Sequence, residues 1–479
     1  MHQKNLIGSA FSLIGLLAIV IIATLTARAA NGQESKRYDR SVLDAWLAQY
    51  ADATPSFRPG DVLTAKDVEK LRPFVPPGLL DKMMFPEFQA PIIERRSHRP
   101  RADFMGCTEK YQAQSRLDSD GVLTNNVCGQ PFPDGSLKAG DPLSGVKAQW
   151  NFDRRWQNYG HFALNFLFIF DKFGAGHRGT IPTAIDGPPP AWVLGLNLNG
   201  QLPTNVSNDY TGGGDFERIL SSFYQRTYLD HLPQREANGG VLDLPDAANF
   251  RYKEFDGFFS PFDVRGQVLI FFRYANPRRA DDAWAYDPRE RRVRRISVEV
   301  KSDSLEGSDT TAEDFNTFSG RMVQWNWRFL GWKDMLTVAD SKYDYPKYFG
   351  PNGEVPNDVW SLRRFAVVER TPKIPNHPYK SVVMFWDAET WHPWLGVAFD
   401  RSNRLYKMWT FSTAWTEDVK AYPEINHGIE APVLHSIVVT DFALSRATIF
   451  PAYGAGYPEA TAERVNRLFD ISKLEEGHR

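Results

Sequence analysis

An apolar run followed by an alternating one constrains the fold of this chain most strongly. Almost every side chain from Val268 to Tyr274 is apolar or aromatic, and Pro277 follows the run. This pattern predicts a strand that is buried on both faces or lines an apolar cavity. Beyond Pro288, polar residues alternate with apolar ones over residues 295–301, the period of a strand with one wet face. The two runs predict a hairpin in a sheet with one apolar side.

Aromatic segments at residues 323–330, 365–370 and 382–386 predict further strands, and two runs around residues 401–403 predict another hairpin. The chain contains 33 Phe, 18 Tyr and 14 Trp, large side chains that favour strands and broad apolar surfaces. The predicted fold class is therefore α+β but mainly β, with a large curved antiparallel sheet and helices packed on it.

The predicted helices lie mostly at the two ends of the chain. Residues 40–50 have helical spacing, Asp215 is expected to cap a helix that runs to Arg226, and residues 460–474 are expected to close the chain as a helix. We predict three parts, which are a signal peptide at 1–29, a helical and irregular segment at 30–145 that packs on the core, and the sheet domain at 146–479. Strand-like runs from residue 146 are expected to begin the sheet.

The amino terminus predicts export. Lys4 precedes an uncharged stretch at residues 5–26, and Ala27-Arg28-Ala29 supplies a cleavage site with small residues. An uncleaved membrane anchor is the alternative, because about 20 apolar residues can span a bilayer.

Two cysteines, Cys107 and Cys128, enclose a loop rich in polar and turn residues. In an exported protein this predicts a disulfide, with two unpaired thiols as the alternative. A zinc or redox role needs closer spacing or added histidines, so we predict no metal site and no cofactor.

Several classes of function lack their usual motifs. The formal net charge of −2 argues against a nucleic-acid partner. The sequence has no G-x-S-x-G, H-E-x-x-H, Walker or G-x-G-x-x-G motif, so no catalytic residue is predicted and we expect no enzyme. The acidic stretch from Asp303 to Asp314 does not match a calcium loop, and we expect a solvated loop in which Asp309 or Asp314 pairs with an arginine.

Two sets of residues are candidates for ligand binding. Arginines at the second strand of the first hairpin either pair with nearby acids or grip a carboxylate or phosphate group at a cavity mouth. The aromatic side chains either pack under helices or line an apolar cavity that holds a guest. The candidates are Phe271, Tyr274, Trp284, Tyr286, Arg292, Arg294, Arg295, Trp325, Trp327 and Trp386.

Ordered motifs between residues 40 and 450 resemble an exported bacterial family, domain of unknown function 1329, which is similar to outer-membrane lipoprotein-sorting carriers of the LolA/LolB type. The motifs are Arg273-Tyr274 with Pro277, residues 282–288, 291–295, 307–309, 313–314 and 318–320, Arg363-Arg364, Val368-Glu369, residues 377–379 and 385–391. The resemblance implies a periplasmic β half-barrel around helices, with an apolar concave face and no reaction.

The favoured hypothesis is a periplasmic binding protein or carrier for a lipid-like or other hydrophobic ligand, serving envelope transport. A second hypothesis is an enzyme on a hydrophobic substrate that uses distant residues such as Asp282, His377 or Asp387. A third is a structural partner of an outer-membrane protein or envelope transporter.

Overall fold

The computed structural model describes residues 36–97, 99–173, 210–212, 214–297, 303–418 and 432–474. These ranges leave out the predicted signal peptide and residues 298–301 of the predicted alternating strand. They also leave out most of residues 173–214, a stretch of the sequence rich in Gly and Pro.

The described residues form six α-helices and twenty strands. The helices are α1 (Arg40–Gln49), α2 (Val68–Leu71), α3 (Pro77–Lys82), α4 (Ala102–Tyr111), α5 (Ser144–Asp153) and α6 (Ala462–Leu468). Seven short strands are β1 (Val62–Thr64), β2 (Gln89–Pro91), β3 (Arg116–Leu117), β4 (Leu123–Thr124), β6 (Tyr210–Gly212), β13 (Tyr348–Gly350) and β14 (Val355–Pro356). The other thirteen are β5 (His161–Lys172), β7 (Asp215–Tyr228), β8 (Phe250–Ser260), β9 (Val268–Tyr274), β10 (Asp282–Asp287), β11 (Arg292–Arg295), β12 (Trp325–Thr337), β15 (Ser361–Pro372), β16 (Tyr379–Asp387), β17 (Pro393–Asp400), β18 (Leu405–Trp415), β19 (Pro432–Asp441) and β20 (Arg446–Gly456).

These thirteen strands form one antiparallel sheet in the order β11-β10-β9-β8-β7-β5-β20-β19-β18-β17-β16-β15-β12. Strand β5 lies in the middle of the sheet, and β7 to β11 extend from it to one edge. The chain then starts again at the opposite edge with β12, and the following strands return to β20, which pairs with β5. The edge strands β11 and β12 do not pair with each other, so the curved sheet stays open. The predicted fold class is confirmed.

This topology requires a long connection across the sheet. Residues 303–324, which we call the crossing segment, lead from β11 at one edge to β12 at the other. They contain the short 3-10 helices Leu305–Gly307, Phe315–Thr317 and Met322–Gln324. We define the inner face of the sheet as the face that the crossing segment covers.

The helix α5 also lies on the inner face. Its Phe152 ring stacks on Trp386 of β16 at a centroid distance of 4.2 Å. A Cβ atom added to Gly145 would lie 2.4 Å from the backbone carbon of Trp327 in β12, so the helix and strand backbones approach closely here. The absence of a side chain at Gly145 therefore permits this packing.

The outer face is covered by the amino-terminal helices. The Arg40 guanidinium of α1 forms a buried ion pair with Glu369 of β15, next to Ser381 of β16. Gly78 of α3 lies against Met408 of β18. The strands from β12 to β18 are thus covered on both faces. This explains why they contain so many aromatic residues, because few of their positions face water.

Strand β9 and the aromatic strands lie where the patterns predict them. The second strand of the first hairpin lies earlier than the predicted residues 295–301, because β11 covers Arg292–Arg295 and residues 296 and 297 follow it outside the strand. Strands β9 and β10 pair in register, with Trp284 opposite Ile270, and β10 pairs with β11. Two further predictions were wrong. Asp215 to Arg226 belongs to β7 and not to a helix, because this segment pairs with β5 on one side and β8 on the other. Residues 146–152 are part of α5, so the sheet begins only at β5.

Candidate ligand cavities on the inner face

An apolar cavity lies between the inner face and the crossing segment. It is a mainly apolar, partly enclosed space that also opens to solvent. Seven neighbouring strands of the sheet supply its floor, and the crossing segment supplies its roof. The floor consists of Phe166, Phe168, Ser222, Tyr224, Glu254, Asp256, Phe271, Trp409, Ile437, Val439 and Phe450, and the roof of Leu305, Thr310, Thr311, Ala312, Asp314 and Phe315.

The floor is aromatic at its centre. Phe168 of β5 packs edge-on against Phe450 of β20, with ring centroids 4.7 Å apart, and also contacts Phe258 at 5.6 Å. Alternate residues of β5, among them Phe166 and Phe168, point to the same face. These rings can contact an apolar guest without offering it hydrogen bonds.

The carboxyl group of Asp256 in this cavity is buried. Asp256 of β8 accepts a hydrogen bond from Ser222 Oγ of β7 at 2.5 Å. Burial raises the pKa of Asp256 to about 7, although this hydrogen bond acts in the opposite direction. The side chain is therefore about half neutral near pH 7 and mostly neutral below it. The other two carboxylates of the lining, Glu254 and Asp314, are paired with Arg226 and Arg370.

Buried ion pairs fix the roof to the sheet. Asp314 pairs with Arg370 Nη2 of β15 at 2.8 Å, and both side chains are fully buried. The hydroxyl of Tyr379 donates to the same carboxylate at 2.6 Å. At the other end, Asp309 pairs with Arg446 at 2.6 Å and accepts a hydrogen bond from Thr448 at 2.8 Å.

The crossing segment is therefore not a solvated loop, although the predicted arginine pairing of its acids is present. Ser308, Asp309, Glu313 and Asp314 are all buried. The sequence prediction was wrong about exposure because an acidic stretch is usually solvated, whereas here the arginines of distant strands neutralise it.

A second cavity beside the first is rich in arginine. Its lining includes Arg154, Arg155, Arg226, Arg251, Arg273 and Arg321, with Tyr228, Tyr252 and Ser319 between them. The Arg226–Glu254 ion pair separates the two cavities, since Arg226 lines the second and Glu254 the first.

A third cavity lies further along the same strands, and Arg155 lines it as well as the second. Phe162 and Leu164 of β5 form part of its floor, so the floor continues along β5 from the apolar cavity. Tyr457 and Phe411 complete its apolar wall, and Asn316 of the crossing segment also lines it.

Of the candidate residues, Phe271 alone lines the apolar cavity, and Tyr274 lines the arginine-rich one. Trp284 and Tyr286 lie opposite Ile270 and Val268 and thus on the other face of the sheet from Phe271.

The predicted arginines lie at the exposed sheet edge, away from all three cavities. Arg292, Arg294 and Arg295 are exposed on β11. Arg294 pairs with Glu290 at 2.5 Å, and Arg295 pairs with Asp282. For Arg294 and Arg295 the structure therefore shows pairing with nearby acids, and not a position at a cavity mouth.

The candidate tryptophans on the inner face pack against the crossing segment. Phe318 contacts the rings of Trp325 and Trp327 at centroid distances of 6.1 and 4.9 Å. The indole Nε1 of Trp386 donates to Thr317 Oγ1 at 3.0 Å. The crossing segment therefore covers the side chains of Trp325, Trp327 and Trp386.

The residues named for a possible reaction do not come together. His377 contacts Glu313 at 3.1 Å before β16 begins, and Asp387 pairs with Arg363 at 2.7 Å where β16 ends. Asp282 lies on β10, in the other half of the sheet.

A disulfide joins Cys107 of α4 to Cys128, with a Cα separation of 5.3 Å. Among the described residues, no group of three or more His, Cys, Asp or Glu side chains is arranged to hold a metal ion. In the same part of the chain, no helix has the length and apolar character needed to cross a membrane.

Most cavity residues were missed at the level of sequence. Ser222 and Tyr224 lie in the segment for which the sequence predicts a helix, and no sequence pattern singles out Trp409, Val439 or Phe450. The alternation of Ser222, Tyr224 and Arg226 was the available signal for a strand with one face turned to a mixed site.

Comparison with solved structures and with protein families finds several similarities. Similar solved structures include a domain named for outer membrane lipoprotein sorting from Vibrio parahaemolyticus, which is 17% identical with a TM-score of 0.42 and covers 70% of this chain and 100% of its own. A DUF1329 family protein from Desulfovibrio piger is 16% identical with a TM-score of 0.42, covering 70% and 99%. A LolA superfamily protein from Nitrosomonas europaea is 10% identical with a TM-score of 0.32, covering 64% and 90%.

No curated protein matches the chain. The family model described as protein of unknown function (DUF1329) matches residues 209–466, which is more than half of the sequence and includes most strands of the sheet. The chain belongs to the DUF1329 family.

Proposed function

We propose that this protein is a binding protein or carrier for a lipid-like or other hydrophobic molecule, held in the apolar cavity under the crossing segment. The observation that carries the proposal is the cavity itself. The side chains of Phe168, Trp409 and Phe450 line it and are therefore available to a guest molecule. Well-packed interiors leave few voids larger than a water molecule, so an apolar space between the sheet and the crossing segment is a candidate site for a guest.

Burial of an alkyl chain can drive such binding without any reaction. A chain of about twelve methylenes gains about 10 kcal/mol gross, at ~0.8 kcal/mol for each CH₂ removed from water. Loss of translational and rotational freedom costs several kcal/mol of this gain. The remainder supports reversible binding, as a carrier requires.

The proposed compartment is the periplasm. The disulfide between Cys107 and Cys128 supports an oxidising location, and the predicted leader at residues 1–29 supports export. Delivery to or from an envelope transporter or outer-membrane protein is part of the proposal.

The proposal can be tested by titrating 1-dodecanol into the protein in a calorimeter. Ala312 of the roof is partly exposed and lines the cavity, so Ala312→Trp should fill the cavity without disturbing the sheet. We expect binding to the wild type and a loss of at least about tenfold in affinity for the variant, which equals about 1.4 kcal/mol.

Leu444→Trp is the matched control, because Leu444 is 60% exposed in the turn after β19. It should bind dodecanol like the wild type. Equal binding by all three proteins, or no binding by the wild type, would contradict the proposal.

A further inference from the structure

Arg155 is a buried cation without a carboxylate partner among the described residues. Its side chain is 6% exposed overall, and its Nη1 donates to the carbonyl of Phe152 at 2.7 Å. Its Nε is buried and has no hydrogen-bond partner in the same part of the chain. Its guanidinium carbon lies 4.3 Å from the centroid of the Phe152 ring.

The surrounding arginines differ from Arg155 because carboxylates neutralise most of them. Arg154 and Arg251 share Asp230, and Arg251 also pairs with Asp153 at 3.0 Å. The two remaining pairs are Arg226–Glu254 and Arg273–Asp281. The six arginines of the cavity lining thus have four carboxylates, which leaves an excess of two positive charges.

An uncompensated charge of this kind is costly in a protein interior. Burial lowers the pKa of Arg155 to about 10, so the side chain is still charged at neutral pH. The arginine-rich cavity, which opens to solvent, lies beside it, and a guanidinium offers paired N–H donors that suit a carboxylate or phosphate. The site has the charge and the space for an anionic group.

The position of Arg155 also connects this group to an apolar path. Arg155 lines the third cavity, whose floor includes Phe162 and Leu164. The same strand continues through Phe166 to Phe168 in the apolar cavity, about 20 Å from Phe162 at about 3.3 Å per residue. An anion held at Arg155 therefore lies at one end of an apolar floor.

We propose that the arginine-rich cavity binds the anionic group of an amphiphile through Arg155, while the alkyl chain lies along β5. This inference rests on the proposed function and narrows its ligand to a molecule with a carboxylate or phosphate at the end of an apolar chain.

The test compares 1-dodecanol, dodecyl phosphate and inorganic phosphate by calorimetry with the full chain. The wild type should bind dodecyl phosphate at least about tenfold more tightly than dodecanol, the factor typical of one buried charge-assisted interaction. Arg155→Met keeps an unbranched apolar stem and removes the charged guanidinium. In this variant the preference should disappear, while the affinity for dodecanol changes by less than about twofold.

Arg294→Met is the control for a change of net charge, because Arg294 is exposed on β11, and it should retain the full preference. Arg155→Lys keeps the charge without the paired donors and should retain only part of the preference, which gives a second reading if Arg155→Met is poorly folded.

Equal affinities of the wild type for dodecanol and dodecyl phosphate, or a preference that survives in Arg155→Met, would overturn the inference and leave the proposed function intact. Failure of dodecanol to bind the wild type would count against the proposed function instead. Inorganic phosphate that binds as tightly as dodecyl phosphate would overturn the amphiphile and identify a free anion as the ligand.

Discussion

Arg370 of β15 and Asp314 of the crossing segment form an ion pair at 2.8 Å in which neither side chain is exposed. The pair fixes the roof of the apolar cavity to the half of the sheet that follows β12. Breaking a buried pair leaves an uncompensated charge in a medium that solvates it poorly.

Asp314→Asn should therefore lower the free energy of unfolding by about 3 to 5 kcal/mol, measured by urea denaturation. Glu290→Gln removes the partner of Arg294 at the exposed edge and should cost less than about 1 kcal/mol. A loss for Asp314→Asn as small as that for Glu290→Gln would show that the roof is not held by this pair.

The contact of α5 with β12 gives a second prediction. Gly145→Ala places a Cβ atom against the backbone of Trp327, which cannot yield as a flexible side chain can. We expect a loss of about 1 to 3 kcal/mol in unfolding free energy. Gly106→Ala in α4 meets no atom within 4 Å and should be neutral or stabilising by up to about 1 kcal/mol. Similar effects at both positions would contradict the close packing of α5.

The carboxyl group of Asp256 makes stability depend on pH. Its folded pKa of about 7 exceeds the ordinary 3.8, so the folded state binds the extra proton and stability falls as pH rises from about 4 to 7. This rise in pKa corresponds to up to about 4 kcal/mol.

Asp256→Asn removes the titrating carboxyl group and with it this dependence of stability on pH. Its unfolding free energy minus that of the wild type should increase between pH 4 and pH 8, and denaturation series at several pH values measure this difference. Other titrating groups cancel in the comparison. A difference that does not change with pH would mean that Asp256 titrates normally.

The disulfide closes a loop between residues 21 positions apart. Loop closure of this length restricts the unfolded chain by about 3 kcal/mol. The double variant Cys107→Ser/Cys128→Ser should lose that much stability, and the reduced wild type should match it in thermal or urea unfolding. An unchanged unfolding free energy would exclude a stabilising role for the bond.

Local patterns predicted much of the sheet because β9, β10, β12 and β15 to β18 carry their signal in neighbouring residues. The apolar run of β9 and the turn at Pro288 need no distant partner to be recognised. The wrong prediction at β7 also has a local cause, because Asp is a good helix-capping residue. Pairing of β7 with β5 and β8 overrides this local preference.

The cavity could not be predicted in the same way. Its roof depends on Asp309 meeting Arg446 and Asp314 meeting Arg370, contacts between residues 137 and 56 positions apart. No spacing rule connects such residues, and the acids of the crossing segment look solvated without their partners. The exposed arginines of β11 form a cluster that is visible in the sequence because they are adjacent, whereas the surroundings of Arg155 come from residues that are distant in sequence.

The most direct test of the account is to soak crystals of the protein with 12-bromododecan-1-ol and to locate the bromine by its anomalous scattering. The account predicts a bromine peak on the inner face, along the floor formed by Phe168, Trp409 and Phe450 or its continuation past Phe162. Bromine found only on the outer surface, with the cavity unchanged at full soak concentration, would contradict the claim that the space under the crossing segment receives an apolar guest.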